Sequence, residues 1–188
     1  MIVIKEKSDC CGCTACFSIC PHKAISMEAD NQGFLYPNID KKKCVNCGLC
    51  NKVCPISHRQ QENTENTTHE IYAARCKDSN ILYNSSSGGM FSTIAKYILD
   101  CGGVVIGVAY NQKMEVVHCL SETESDCKKF RGSKYVQSYL GKTFSTIKQH
   151  LATGRLVLFS GTPCQVEGLN RFLLKPYNNL ITIDLVCH

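Results

Sequence analysis

CCGCTACFSICP, residues 10–21, places cysteine at five of twelve positions, and CVNCGLCNKVCP, residues 44–55, nearly repeats it. Cys10, Cys13, Cys16 and Cys20 before Pro21 follow the spacing C-x2-C-x2-C-x3-C-P. Cys44, Cys47, Cys50 and Cys54 before Pro55 follow it again, 34 residues on. A fixed shift of this kind is an internal repeat. Structural zinc takes a tetrahedral set from two separated ligand pairs, whereas thiols at successive three-residue steps wrap one face of a cubane. The spacing therefore predicts two [4Fe-4S] clusters. Cys11 interrupts the step and reads as a bystander, with a ligand exchange against Cys10 left open.

The rest of the chain bounds the reading. Its 188 residues are 44% hydrophobic and 20% charged, enough for a sizeable core. The first residues lack the apolar run of a signal segment, and no stretch approaches the about 18 apolar residues of a membrane span. This predicts a cytoplasmic protein without a membrane span. In a reducing compartment 15 cysteines point to metal or redox chemistry rather than to disulfides. The net charge of +5 is dispersed, with Lys41, Lys42 and Lys43 the one tight run and no aromatic residues interleaved, so nucleic acid is not indicated.

Residues 1–60 resemble a two-cluster bacterial ferredoxin, with a hairpin turning near Gly33 between the two runs. In such ferredoxins the fourth cysteine of each run serves the other cluster. The resemblance assigns Cys10, Cys13, Cys16 and Cys54 to one cluster and Cys44, Cys47, Cys50 and Cys20 to its twin. Residues 57–69 are polar and aperiodic and read as a linker. From residue 70 strand and helix patterns alternate: strands at 71–76, 104–110, 115–120, 156–159 and 180–186, and helices on the apolar faces of Phe91/Ile94/Ile98, Phe144/Ile147/Leu151 and Val166/Leu169/Leu173. The expected fold is α+β: a ferredoxin-like domain, then a layered α/β domain over 70–188 with a mixed, partly parallel sheet.

Ligands of such sheets gather at the carboxyl ends of strands. SSSGGM, residues 85–90, opens a helix there and reads either as a phosphate cradle or as a simple capping loop. RGSKYVQ, residues 131–137, is a cationic, hydroxyl-bearing loop or a solvated turn. FSGTPCQ, residues 159–165, leaves a buried strand and starts a helix with Thr162 as N-cap, Pro163 at N1 and Gln165 at N3, a capping box. Cys164 then stands at N2. The helix dipole there lowers a thiol pKa, unless the residue is simply a buried structural cysteine.

These three segments, with DLVCH at 184–188 and the paired cysteine runs, resemble the coenzyme F420 hydrogenase/dehydrogenase beta-subunit family. The resemblance implies an iron–sulfur flavoprotein oxidoreductase that passes electrons between two clusters, FAD and a redox partner protein or small carrier. It implies Ser87, Gly88, Gly89 and Thr93 near the FAD phosphates. Ser133, Lys134, Tyr135, Thr162, Pro163, Cys164 and Gln165 would lie near the flavin ring, with Lys134 and Cys164 in catalytic roles. Chains of that family continue past the Cys187-His188 motif, so a further C-terminal part is expected. The alternatives are an electron-carrier module whose α/β part only docks a partner, and a structural iron–sulfur protein.

Overall fold

The computed structural model describes residues 2–4, 6–58 and 70–186. The expected linker lies outside these residues from position 59, as do Cys187 and His188. The first half holds α1 (Ala15–Ile19), the hairpin of β1 (Ile25–Ala29) and β2 (Leu35–Ile39), and α2 (Leu49–Lys52). β1 and β2 pair antiparallel from Ile25 opposite Ile39 to Ala29 opposite Leu35. Asp30 makes the turn: its Oδ1 accepts from the Gln32 N–H at 2.9 Å and the Phe34 N–H at 3.1 Å, and Gly33 supplies φ +87°. This is a ferredoxin-like arrangement at the N-terminus.

The second half runs α3 (Ser79–Tyr83), α4 (Met90–Asp100), β3 (Val104–Tyr110), β4 (Val116–Ser121), α5 (Glu124–Cys127), α6 (Thr143–Ala152), β5 (Val157–Gly161), α7 (Pro163–Leu173) and β6 (Leu180–Asp184). The sheet order is β4-β3-β5-β6, with β3 antiparallel to β4 and parallel to β5, and β5 parallel to β6. It is a mixed α/β layer. Alternation along the strands builds two cores. Val104, Ile106, Val157 and Phe159 face Phe144 and Ile147 of α6 and Leu169 of α7, while Val105, Ala109 and Leu158 face Ala95 and Ile98 of α4. Gly107 is required here, because a Cβ on it would stand 2.7 Å from the Phe130 ring.

One expected strand is absent. Residues 71–76 are irregular, and Ile71 and Tyr72 are exposed. The Cys76 N–H bonds to the Gly88 carbonyl at 2.6 Å, which ties this stretch to the loop before α4 rather than to the sheet. Apolar content alone does not make a strand without a neighbour to pair with.

A buried polar chain threads the layer. The His118 Nε2 donates to the Ser160 carbonyl at 3.1 Å, so Nδ1 accepts from the Ser138 hydroxyl, also at 3.1 Å. Gln165 Nε2 donates to Ser138 at 3.0 Å, and Gln165 Oε1 accepts the Thr162 N–H at 3.0 Å. Burial holds His118 neutral and pushes its pKa down to about 4. A base depressed in the fold contributes stability that is fully present above its unfolded value of about 6.5 and is lost as pH falls toward 4. The expected loss across that window is about 3 kcal/mol. Urea midpoints at pH 7 and 4.5 check it, since His118→Gln should remove this component of the slope.

Candidate iron–sulfur site and its seam with the α/β layer

Two recesses of similar size carry the cysteines. The first is lined by Cys10, Cys11, Cys13, Cys16 and Cys54 with Thr14, Ile2, Ile4 and Pro55. The second is lined by Cys20, Cys44, Cys47 and Cys50 with Gly48, Leu49, Ile25 and His22. Each run thus lends its fourth cysteine to the recess of the other. The crossing follows from the short helices: α1 carries the chain from Cys16 to Cys20, and α2 carries it from Cys50 toward Cys54.

The loops repeat in backbone as well as in spacing. Gly12 and Asn46, 34 residues apart, have φ +62° and +53°; Thr14 and Gly48, at the same shift, have φ +61° and +79°. Each loop thus turns through two left-handed residues with one residue between them. Backbone N–H groups meet sulfur: Ile2 donates to Cys50 Sγ at 3.2 Å and Ala24 to Cys20 Sγ at 3.4 Å.

The donor set fits a cluster better than a lone ion. Among the described residues no three His, Cys, Asp or Glu side chains converge tightly enough for one metal; the thiols stand around volumes instead. Burial pushes the Cys16 thiol up to about 12, and the neighbouring Cys10, Cys54 and Cys50 add to the rise. Burial likewise raises Cys10. Thiolates so crowded need a cationic core among them. Thr14 lines the first recess, and its buried Oγ1 has no partner among the described residues.

The two recesses differ in cover. Cys47 is exposed, and Lys41, Lys42 and Lys43 stand in solvent beside its loop. The loop of the first recess packs against the α/β layer. Cys13, Ala15 and Val53 share one core with Leu169 and Phe172 of α7. Gly168 lies so close that a Cβ would stand 3.0 Å from the Cys13 Cβ and 3.1 Å from its Sγ. Gln137 clamps the other side, its Oε1 accepting the Leu35 N–H at 3.1 Å and its Nε2 donating to the Cys11 carbonyl at 3.4 Å.

The expected flavin segments fall as follows. Thr162 caps α7, Pro163 stands at N1 and Gln165 reaches back to the Thr162 N–H, as predicted. The low pKa expected for Cys164 is reversed: the Cys11 thiol beside it and burial push the Cys164 thiol far up, against the opposing Thr162 hydroxyl, which lies 3.1 Å from its sulfur. Cys11 in turn is raised to about 11, first through its hydrogen bond to Cys13. Cys11 is therefore a seam residue. Gly89 caps α4 with φ +73°, Gly88 presses on the Ala74 carbonyl, and the Thr93 hydroxyl donates to the Gly89 carbonyl at 3.2 Å. α4 enters β3 through a short turn and α7 leaves β5, so both helix N-termini sit at the carboxyl edge of the parallel pair. Lys134 donates to the carbonyls of Lys129, Phe130 and Arg131 at 3.2, 3.1 and 2.9 Å, and Tyr135 is 94% exposed. Gln137, Ser138 and His118 escaped sequence reasoning; an amide in a polar loop and a histidine inside a strand carry no spacing signal.

Comparison with known proteins agrees with this geometry. Residues 9–57 match the 4Fe-4S dicluster domain, and residues 71–144 match the N-terminal domain of the coenzyme F420 hydrogenase/dehydrogenase beta subunit. Over 188 residues, 97% of the chain, it is 25% identical to the coenzyme F420-dependent sulfite reductase of Methanocaldococcus jannaschii, spanning 28% of that protein. Over 59 residues, 29% of the chain, it is 36% identical to NADH-quinone oxidoreductase subunit I 2 of Geobacter metallireducens, spanning 45% of it. The chain thus spans less than half the length of either relative. A chain of the F420-reducing [NiFe] hydrogenase complex from Methanosarcina barkeri superposes with a TM-score of 0.50 at 25% identity, over 60% of this chain and 42% of that one. In one chain, a segment that matches a 4Fe-4S dicluster domain is thus followed by one that matches the N-terminal domain of the coenzyme F420 hydrogenase/dehydrogenase beta subunit.

Proposed function

We propose that the chain is the electron-transfer part of a flavin-dependent oxidoreductase. Cys10, Cys13, Cys16 and Cys54 hold one [4Fe-4S] cluster, and Cys44, Cys47, Cys50 and Cys20 hold the other. The observation that carries this reading is the first cysteine run packed against α7, with Cys11 beside Cys164 at the helix start and Cys13 against Gly168: a cluster loop that abuts this edge has use for a second redox group there. A flavin bound at the carboxyl edge would exchange single electrons on one side and a two-electron hydride on the other. Ser87, Gly88, Gly89 and Thr93 would offer the N-terminus of α4 to its phosphates. Ser133, Lys134, Tyr135, Thr162, Pro163, Cys164 and Gln165 would border its ring. The external acceptor is a deazaflavin-type carrier or a redox protein, in keeping with the relatives' names.

Lys134 favours a second reading. Its ammonium is engaged with three carbonyls, which suits a lysine that shapes a docking loop as well as one that faces a ring. In that case the α/β part seats a partner and the chain is an electron carrier.

Anaerobic reconstitution with iron, sulfide and FAD or FMN distinguishes the two. About eight irons and eight acid-labile sulfides per chain are expected, with flavin retained on gel filtration. Zinc without sulfide would overturn both readings. Two clusters with neither flavin bound would leave the carrier.

A further inference from the structure

Position 14 breaks the symmetry of the two loops. Gly48, its equivalent in the second run, adopts φ +79° freely, whereas Thr14 is a β-branched residue held at φ +61°. Its side chain is only 3% exposed. The residue lines the first recess, and its hydroxyl finds no partner among the described residues. Both features are unfavourable, and glycine would avoid both. Ser18, the other orphaned hydroxyl among the described residues, does not line the recess. A buried O–H left without an acceptor, on a residue that borders a volume walled by thiols, is within reach of a sulfur placed there.

We propose that the Thr14 hydroxyl donates a hydrogen bond to the cluster held in the first recess and so raises that cluster's reduction potential, a contribution the Gly48 loop does not make to its twin. Hydrogen bonds to cluster sulfurs favour the reduced, more negative state and shift the potential upward. The inference rests on the two-cluster reading. It makes the two sites chemically distinct despite their matched cysteines.

The test is a potentiometric titration of the reconstituted full chain, followed by electron paramagnetic resonance. Thr14→Gly copies the second loop and relaxes the backbone, so loading is expected to survive. One of the two midpoints should move to more negative potential while the other stays. Thr14→Ser keeps the hydroxyl without the methyl group and should hold both midpoints near their original values. Unmoved midpoints in Thr14→Gly, an equal shift of both, or a Thr14→Ser shift matching that of glycine would each overturn the inference while leaving the cluster reading intact. A wild-type chain that binds no iron and sulfide would overturn both.

Discussion

Cys20→Ala is expected to halve the bound iron, from about eight to about four per chain, by emptying the recess of Cys44, Cys47 and Cys50 rather than the one nearest in sequence. Cys20 lines that recess, where its sulfur accepts the Ala24 N–H. Three thiols around an open volume leave one iron without a protein ligand, and the exposed Cys47 gives water a path to it. Cys54→Ala is the mirror case and should empty the first recess. Cys11→Ala should leave both loaded, since Cys11 bonds toward Cys13 and Cys164. Iron and sulfide analysis with electron paramagnetic resonance checks all three. Loss of the cluster held by Cys10, Cys13 and Cys16 in Cys20→Ala would refute crossed ligation.

Phe159→Ala is expected to cost about 3–5 kcal/mol, a large share of the stability of a chain this size. Phe159 is fully buried in β5, stacked on His118 with centroids 5.3 Å apart and edge-on to Phe144 at 6.1 Å. Removing the ring opens a cavity between the sheet and α6 and takes away the surface that fixes His118 against Ser160. The polar chain from His118 to Thr162 loosens with it. Urea denaturation of the reconstituted protein measures the effect; a loss under about 1 kcal/mol would mean that the site collapses around the gap.

What could be read from the sequence follows from how local each signal is. Cysteine spacing fixes loop geometry within a dozen residues, so both runs and the Gly33 hairpin were legible. The strands 104–110 and 115–120 and the three longer helices declared themselves through their apolar period, and Thr162-Pro163 through its capping chemistry. The 71–76 strand misled because its apolar residues face solvent, a fact only the missing neighbour reveals. Cys164 misled for a related reason. Its helix position is local, but the thiol that overrides the dipole belongs to Cys11, far away in the chain. Gln137 was hidden in the same way, its two partners lying on the other side of the seam.

That seam has a bearing on modularity. Gly12 faces Gln137 and Gly168 faces Cys13 with no room on either side for a side-chain carbon: a Cβ at position 12 would stand 2.3 Å from Gln137 Nε2. A free ferredoxin presents its loop to water and can vary there at will. In this protein the loop and the helix are cut to one another's outline, so the first sixty residues are not an interchangeable cartridge. A chimaera that imports another ferredoxin in their place must bring glycine at position 12, and it must keep glycine at 168, or its loop will not seat on α7.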